Sequence, residues 1–270
     1  MSYEPLERDS SIDQAAIFWG VHRETVWEWF RIELTRSHRE RGRLVLLKGT
    51  LPPAERRRTG GVVKLALAVG FEATMRCGIE RNTLATVFSS SGGDGLNCHE
   101  ICRVLASSDR QLSPTRFHNS VHNVAAGYWS IAAGATAAAN VLCAYDASFG
   151  AGLLEALTQV AVERTPLMLL AYDTQYPEPL NAKRTIPDAF GVALVLAPNA
   201  RGTPLAKLTA MLTDSCADRM SEPQLEAMRA SIPAARSLPL LRALARHESG
   251  RVILDYLRHT RLAIEVDPCS

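Results

Sequence analysis

Four short apolar runs, interleaved with helical segments, leave this chain few folds to choose from. They are residues 84–89 (LATVFS), 137–144, 167–172 (LMLLAY) and 190–196 (FGVALVL). Each is nearly continuous in apolar side chains instead of alternating, which is the pattern of a strand buried on both faces. Residues 97–106 and 147–163 carry helical patterning between them. A buried sheet layered with helices, the α/β class, is the expected architecture.

The flanking regions are read from their turn signals. Leu51, Pro52 and Pro53 make a break. A helix is expected over 54–77, with Val63, Leu65, Leu67, Ala68 and Phe71 as its apolar face and Gly78 ending it. Ser90, Ser91, Gly92, Gly93, Asp94 and Gly95 form a turn after the first buried strand. They are not a phosphate cradle, since no Lys-Ser/Thr pair follows. Beyond Pro198 an edge strand is expected at 206–212, a helix at 222–230, and two strands within 250–266 about a tight turn at 258–260. In the first 50 residues the readings are a strand at 15–19, an amphipathic helix at 23–34 bearing Val26, Trp27, Phe30 and Leu34, and a strand at 43–48. The whole, 1–270, is taken as one domain.

Composition narrows the function classes. A net charge of +2 is too small to predict a nucleic-acid or membrane partner from bulk electrostatics. Half of residues 124–147 are Ala or Gly, but Asn140 and Asp146 make the stretch too polar for a membrane span. The start, MSYEPLERDSS, has no apolar secretory region, so a cytoplasmic protein with reduced thiols is expected. Of the six cysteines, Cys98 and Cys102 share a helix face, yet no second pair sits at metal-ligand spacing. No metal and no cofactor is expected.

The segment SPTRFHNSVHNVAAGYWSIAAGATAAANVLCAYDA, residues 113–147, carries a specific frame. Ser113-Pro114 leads to Asn123, Ala126-Gly127, Ser130-Ile131 and Gly134. This resembles the β-ketoacyl-ACP synthase family, whose Ser-Pro start precedes N-x-x-A-G-x-x-S-I, a buried strand and a Cys opening a helix. LATVFSSSGGDG resembles that family's strand and Gly-rich turn, LMLLAYDTQYPEPL sits where it has A-G-G-x-E, and PDAFGVALVLAP is similar to the strand closing its first half. The likeness is strongest over 52–198. It implies the N-terminal half of a thiolase-like α/β/α sandwich, with a shortened part over 199–270 whose hairpin at 250–266 stands in for the second half.

Counting without gaps, the family's nucleophilic Cys falls on Asp146, and a carboxylate cannot form an acyl thioester. Neither His247 nor His259 sits in the G-H-x-x-G-x-S or H-G-T-x-T context of the family's histidines. A carbon–carbon condensation then lacks its nucleophile and its acid/base groups. The PPAERRR and RVILDYLRHTRLAIEV segments are similar to the short, chain-length-factor-like subgroup found with aryl polyene and xanthomonadin-type pigment systems. The resemblance implies a silent subunit that pairs with a full-length ketosynthase, or with itself, through the strand at 136–144, and meets an acyl carrier protein indirectly.

Several residues acquire expected roles. Asp146 marks a pseudo-active position, or simply caps the helix that follows it. Cys143 and Ser148 are the substitute nucleophiles that an active acyltransferase would need, but neither has a recognisable histidine partner. Tyr128, Trp129, Asn140, Val141 and Leu142, with Asn97 and Ile101, fall where the family borders its acyl tunnel and subunit interface. Tyr128 and Trp129 equally suit a core. Arg56, Arg57 and Arg58 are read as beginning a helix, where the dipole disfavours cations, and so as a docking point for an anionic carrier protein. A rival from another class is a helix–turn–helix over residues 11–31, with Gly20 as its turn and RSHRERGR adding basic charge.

Overall fold

The computed structural model describes residues 15–19, 39–40, 43–44, 51–75, 77–198 and 204–269. Its strands are β1 (Ala15–Trp19), β2 (Arg39–Glu40), β3 (Arg43–Leu44), β4 (Ala85–Ser89), β5 (Ala139–Leu142), β6 (Leu167–Asp173), β7 (Phe190–Leu196), β8 (Ala206–Thr213), β9 (Gly250–Leu254) and β10 (Arg261–Pro268). Its helices are α1 (Pro53–Arg58), α2 (Gly61–Thr74), α3 (Gly95–Leu105), α4 (Pro114–His118), α5 (Val124–Ala133), α6 (Ser148–Glu163), α7 (Leu180–Lys183), α8 (Pro223–Ser231) and α9 (Leu238–Ala245). One sheet runs in the order β1-β7-β6-β4-β5, with β4 parallel to both β5 and β6, and β7 antiparallel to β6 and β1. β2 and β3 form a two-residue antiparallel pair.

Side chains alternate across a strand, so β6 serves two cores at once. Met168, Leu170 and Tyr172 join Phe88 and Ala193 against Leu65 and Val69 of α2 and Trp129 of α5. Leu167, Leu169 and Ala171 join Val87, Val192 and Leu194 against Phe149, Leu153 and Ala156 of α6. Each fully buried Leu or Phe contributes roughly 1.5–3 kcal/mol relative to exposure. The chain moves outward from β4 to β5, then back past β4 to β6. Right-handed crossovers in opposite directions put α5 and α6 on opposite faces. α6 lies close to β4 because Gly152 has no side chain: a Cβ there would stand 2.8 Å from that of Ser89.

The expected hairpin at 250–266 exists, but it belongs to a three-stranded sheet, β8-β10-β9. Leu262, Ile264 and Val266 of β10 and Leu240, Leu241 and Leu244 of α9 continue the same core as α6. α9 and the 3₁₀ turn before it, Pro233–Ser237, were not expected from the sequence.

Other expectations need correcting. The helix expected over 54–77 is two helices, α1 and α2, parted at Thr59 and Gly60, both extended. Asp94 presses on that joint, its Oδ2 only 2.3 Å from where a Gly60 Cβ would lie. Arg56, Arg57 and Arg58 therefore end a helix, where the dipole favours cations, and the argument from a disfavoured position falls away. The expected strand at 137–144 is shorter, Ala139–Leu142. Residues 15–19, needed as the first helix of a helix–turn–helix, are β1. The helix expected at 23–34, and residues 45–48 of the strand expected at 43–48, lie outside the described residues.

Candidate functional site

β5 ends at Leu142, and the chain turns through Cys143 and Ala144 into a 3₁₀ turn, Tyr145–Ala147, before α6. Tyr145 adopts φ 53°, a left-handed conformation that costs a non-glycine residue energy and is commonest where a site constrains it. Asp146 does not cap α6, whose N-cap, Ala147, makes no side-chain cap bond. Its carboxylate is held instead by two arginines from distant segments. Arg184 donates Nη2 to Oδ1 at 2.5 Å. Arg236 brings Nη2 to 3.3 Å of Oδ2. The Arg184 guanidinium also lies over the Tyr145 ring, 3.6 Å from its centroid.

Behind this pair runs a polar path into the core. Arg184 donates Nη1 to Tyr176 Oη at 3.0 Å, and Tyr176 Oη is 3.0 Å from Ser91 Oγ. Asp173 Oδ1 accepts from Ser91 Oγ at 2.6 Å and from Ser91 N at 2.8 Å, while Oδ2 accepts from Ala234 N at 2.8 Å. Burial pushes the Asp173 carboxyl up to about 6, and the Ser91 and Ala234 hydrogen bonds and the Arg184 charge only partly offset it.

The substitute nucleophiles are both engaged. Cys143 is exposed, just past the end of β5, and its Sγ contacts the Ser91 carbonyl at 3.1 Å. Ser148 is buried in the first turn of α6, donating to Tyr145 O at 2.7 Å and accepting from Ala144 N at 3.1 Å. Neither hydrogen bonds to an imidazole. What the geometry shows at this position is a carboxylate ion-paired to two arginines.

The tunnel and interface candidates separate into two groups. Tyr128 and Trp129 are core residues: Tyr128 Oη donates to Asn119 Oδ1, and Trp129 packs on Phe71 with ring centroids 5.1 Å apart. Asn140, Val141 and Leu142 lie on β5, an edge strand among the described residues. Ala138 O accepts from Thr86 N and Leu142 O from Ser90 N, so the even-numbered residues of β5 face β4. Ala139 and Val141 thus turn their backbone N–H and C=O to the open edge. Asn140 is exposed, with Nδ2 3.4 Å from Glu155 Oε1.

A cavity of ≈590 Å³ is lined by Arg57, Arg58, Asn97 and Arg116, and by Asp94 and Asp188. It brings Arg57 and Arg58, two of the three arginines expected to dock a carrier protein, to Asn97, but Asp146, Arg184 and Arg236 do not line it. Arg56 is not among the lining residues, and half-buried Ile101 lies on the same helix, α3, as Asn97. Burial raises the Asp94 carboxyl, which caps α3 by accepting from Asn97 N. Sequence reasoning missed Arg184, Arg236, Tyr176 and Asp173, because nothing local marks a partner that lies tens of residues away.

Among the described residues no group of three His, Cys, Asp or Glu side chains is assembled as a metal site, and no helix is long and apolar enough to cross a membrane.

The family model for the β-ketoacyl synthase N-terminal domain matches residues 38–258. The solved structure of a ketosynthase (ApeO) in complex with its chain length factor (ApeC) from Xenorhabdus doucetiae aligns at a TM-score of 0.67 with 23% identity, covering 93% of this chain and 96% of the matched chain. The ishigamide ketosynthase/chain length factor aligns at 0.61 with 12% identity, over 84% of this chain and 86% of that one. A type II polyketide acyl-carrier protein in complex with its ketosynthase (AntDE:AntF) aligns at 0.60 with 10% identity, over 95% and 98%. At these identities the likeness is one of fold, and the coverage shows that chains of similar extent occur in those complexes. No curated protein sequence matches the chain.

Proposed function

This chain belongs to the β-ketoacyl synthase N-terminal-domain family, and we propose that it is a catalytically silent, chain-length-factor-like subunit that pairs with an active ketosynthase. The observation that carries the reading is the state of the position counted as the nucleophile's. Asp146 stands there with both carboxylate oxygens engaged by guanidinium groups. A carboxylate so held forms no acyl thioester, and the nearby Ser148 hydroxyl is spent on backbone bonds.

The open edge of β5 supports pairing. An unpaired, apolar edge is a template for another strand, and a partner's edge strand satisfies its outward N–H and C=O groups. In this reading Asn140, Val141 and Leu142, with α5 stiffened by Tyr128 and Trp129, form the wall this chain lends to the partner's acyl tunnel. The same reading gives Asn97 and Ile101, on α3, a place along that tunnel by resemblance to the family. Arg56, Arg57 and Arg58 meet the acidic surface of an acyl carrier protein, and the substrate class is the polyene or fatty-acyl chain of a type II pathway in the cytoplasm.

Co-expression with a full-length ketosynthase tests the proposal. A 1:1 complex that extends an acyl-carrier-bound chain, where neither protein does so alone, supports it. A chain that never associates with a ketosynthase, and leaves the ketosynthase's products unchanged, sinks it.

A further inference from the structure

The polar path behind Asp146 closes on itself. Ser91 has one hydroxyl proton, and it is committed to Asp173 at 2.6 Å, so Tyr176 is the donor in its 3.0 Å contact with Ser91. The protons thus run outward from Arg184, toward Asp146 on one side and through Tyr176 and Ser91 toward Asp173 on the other. Asp173, only 2% exposed, also takes the Ala234 N–H. Ala234 belongs to the Pro233–Ser237 turn that carries Arg236, and Arg236 returns to Asp146. An outward-facing carboxylate and a buried one are therefore two stations on a single ring that ties the first sheet to the C-terminal part of the chain.

We propose that Asp146 is the latch of this ring: its charge reaches Asp173 through Arg184, and its pairing with Arg236 sets how firmly the Pro233–Ser237 turn is held against the sheet. This goes beyond the silent-subunit reading and holds for the isolated chain, whatever its partner. The charged and titratable groups facing Asp173 are Arg184 from the β6–β7 connection, Tyr172 beside it on β6, Tyr176 through Ser91, and, across the ring, Asp146 and Arg236. Removing the charge of Asp146 leaves the whole of the Arg184 cation to favour the ionised form of Asp173. It also frees Arg236, and with it the turn.

The test is a carboxyl carbon NMR titration of the full chain, with amide exchange measured at Ala234. In Asp146→Asn the midpoint of Asp173 moves down by several tenths of a pH unit, and the Ala234 amide exchanges several-fold faster. In an Arg184→Gln background the same Asp146→Asn change moves the midpoint less than half as far, as a double-mutant cycle requires of coupled groups. Arg184→Lys, which keeps the charge but gives up the forked geometry, serves should the glutamine variant fail to fold. A midpoint unmoved by Asp146→Asn overturns the proposal, as does an equal shift with and without Arg184, or an unchanged Ala234 exchange rate.

Discussion

Arg236 reaches back from the turn before α9 to Asp146, placing Nη2 3.3 Å from Oδ2. A residue of the C-terminal part thereby closes on the end of β5. The side chain is 18% exposed and its Nε is buried without a hydrogen-bond partner, so the guanidinium pays for that burial chiefly through this contact. Asp146 is 43% exposed, which screens the pair and limits its strength.

Arg236→Gln is accordingly expected to destabilise the chain by only about 1 kcal/mol. Urea denaturation reads this as a lower midpoint with an unchanged slope. A loss of about 4 kcal/mol or more would mean that the pair behaves as a fully buried one.

Stability should fall as pH rises through the range set by Asp173. Burial raises its folded-state pKa to about 6, above its unfolded value near 3.8, so the native state binds the extra proton between the two. The favourable contribution is full below the unfolded value and is lost by about pH 7, a change on the order of 3 kcal/mol. Glu226, held near 2 chiefly by Arg229, acts in the opposite sense, but only as pH falls below its ordinary value of 4.5. Thermal unfolding between pH 5 and 7 reads this: Tm declines across that window, and Asp173→Asn flattens the decline whatever it does to overall stability.

Asp146→Cys should create a reactive thiol. The introduced sulfur would lie between Arg184 and Arg236, and two guanidinium groups favour the thiolate. Iodoacetamide at neutral pH is expected to label it at least several-fold faster than exposed Cys143, as read by peptide mapping. Equal rates would show that the arginines leave the position once the carboxylate is gone.

Val141→Pro separates folding from pairing. Residue 141 turns its N–H to the open edge of β5, so proline removes a donor that the β4 ladder does not use. Far-UV circular dichroism of the variant should match that of the parent, while recovery of the chain with a co-expressed ketosynthase drops at least tenfold. Undiminished recovery would place the partner elsewhere.

The sheet was legible because its strands are long apolar runs: 190–196 was read to the residue, and 167–172 missed only Asp173. The ends of helices were harder. Arg56, Arg57 and Arg58 read as a helix start because the apolar pattern continues past them, whereas the chain is extended at Thr59 and Gly60, where Asp94 closes on the backbone. α9 is not marked by the sequence pattern, and its one proline, Pro239, falls in the first turn, where proline is tolerated. At the site, Asp146 was found by counting along a frame, but local reasoning made it a cap. Its true partner Arg184 lies 38 residues away, and no spacing rule connects the two.

Intact-protein mass spectrometry of the co-purified complex, after incubation with an acyl donor, tests the central claim most directly. An acyl mass on the ketosynthase and none on this chain is the predicted result. A covalent acyl adduct on this chain, mapped to Cys143, Ser148 or any other side chain, would contradict it.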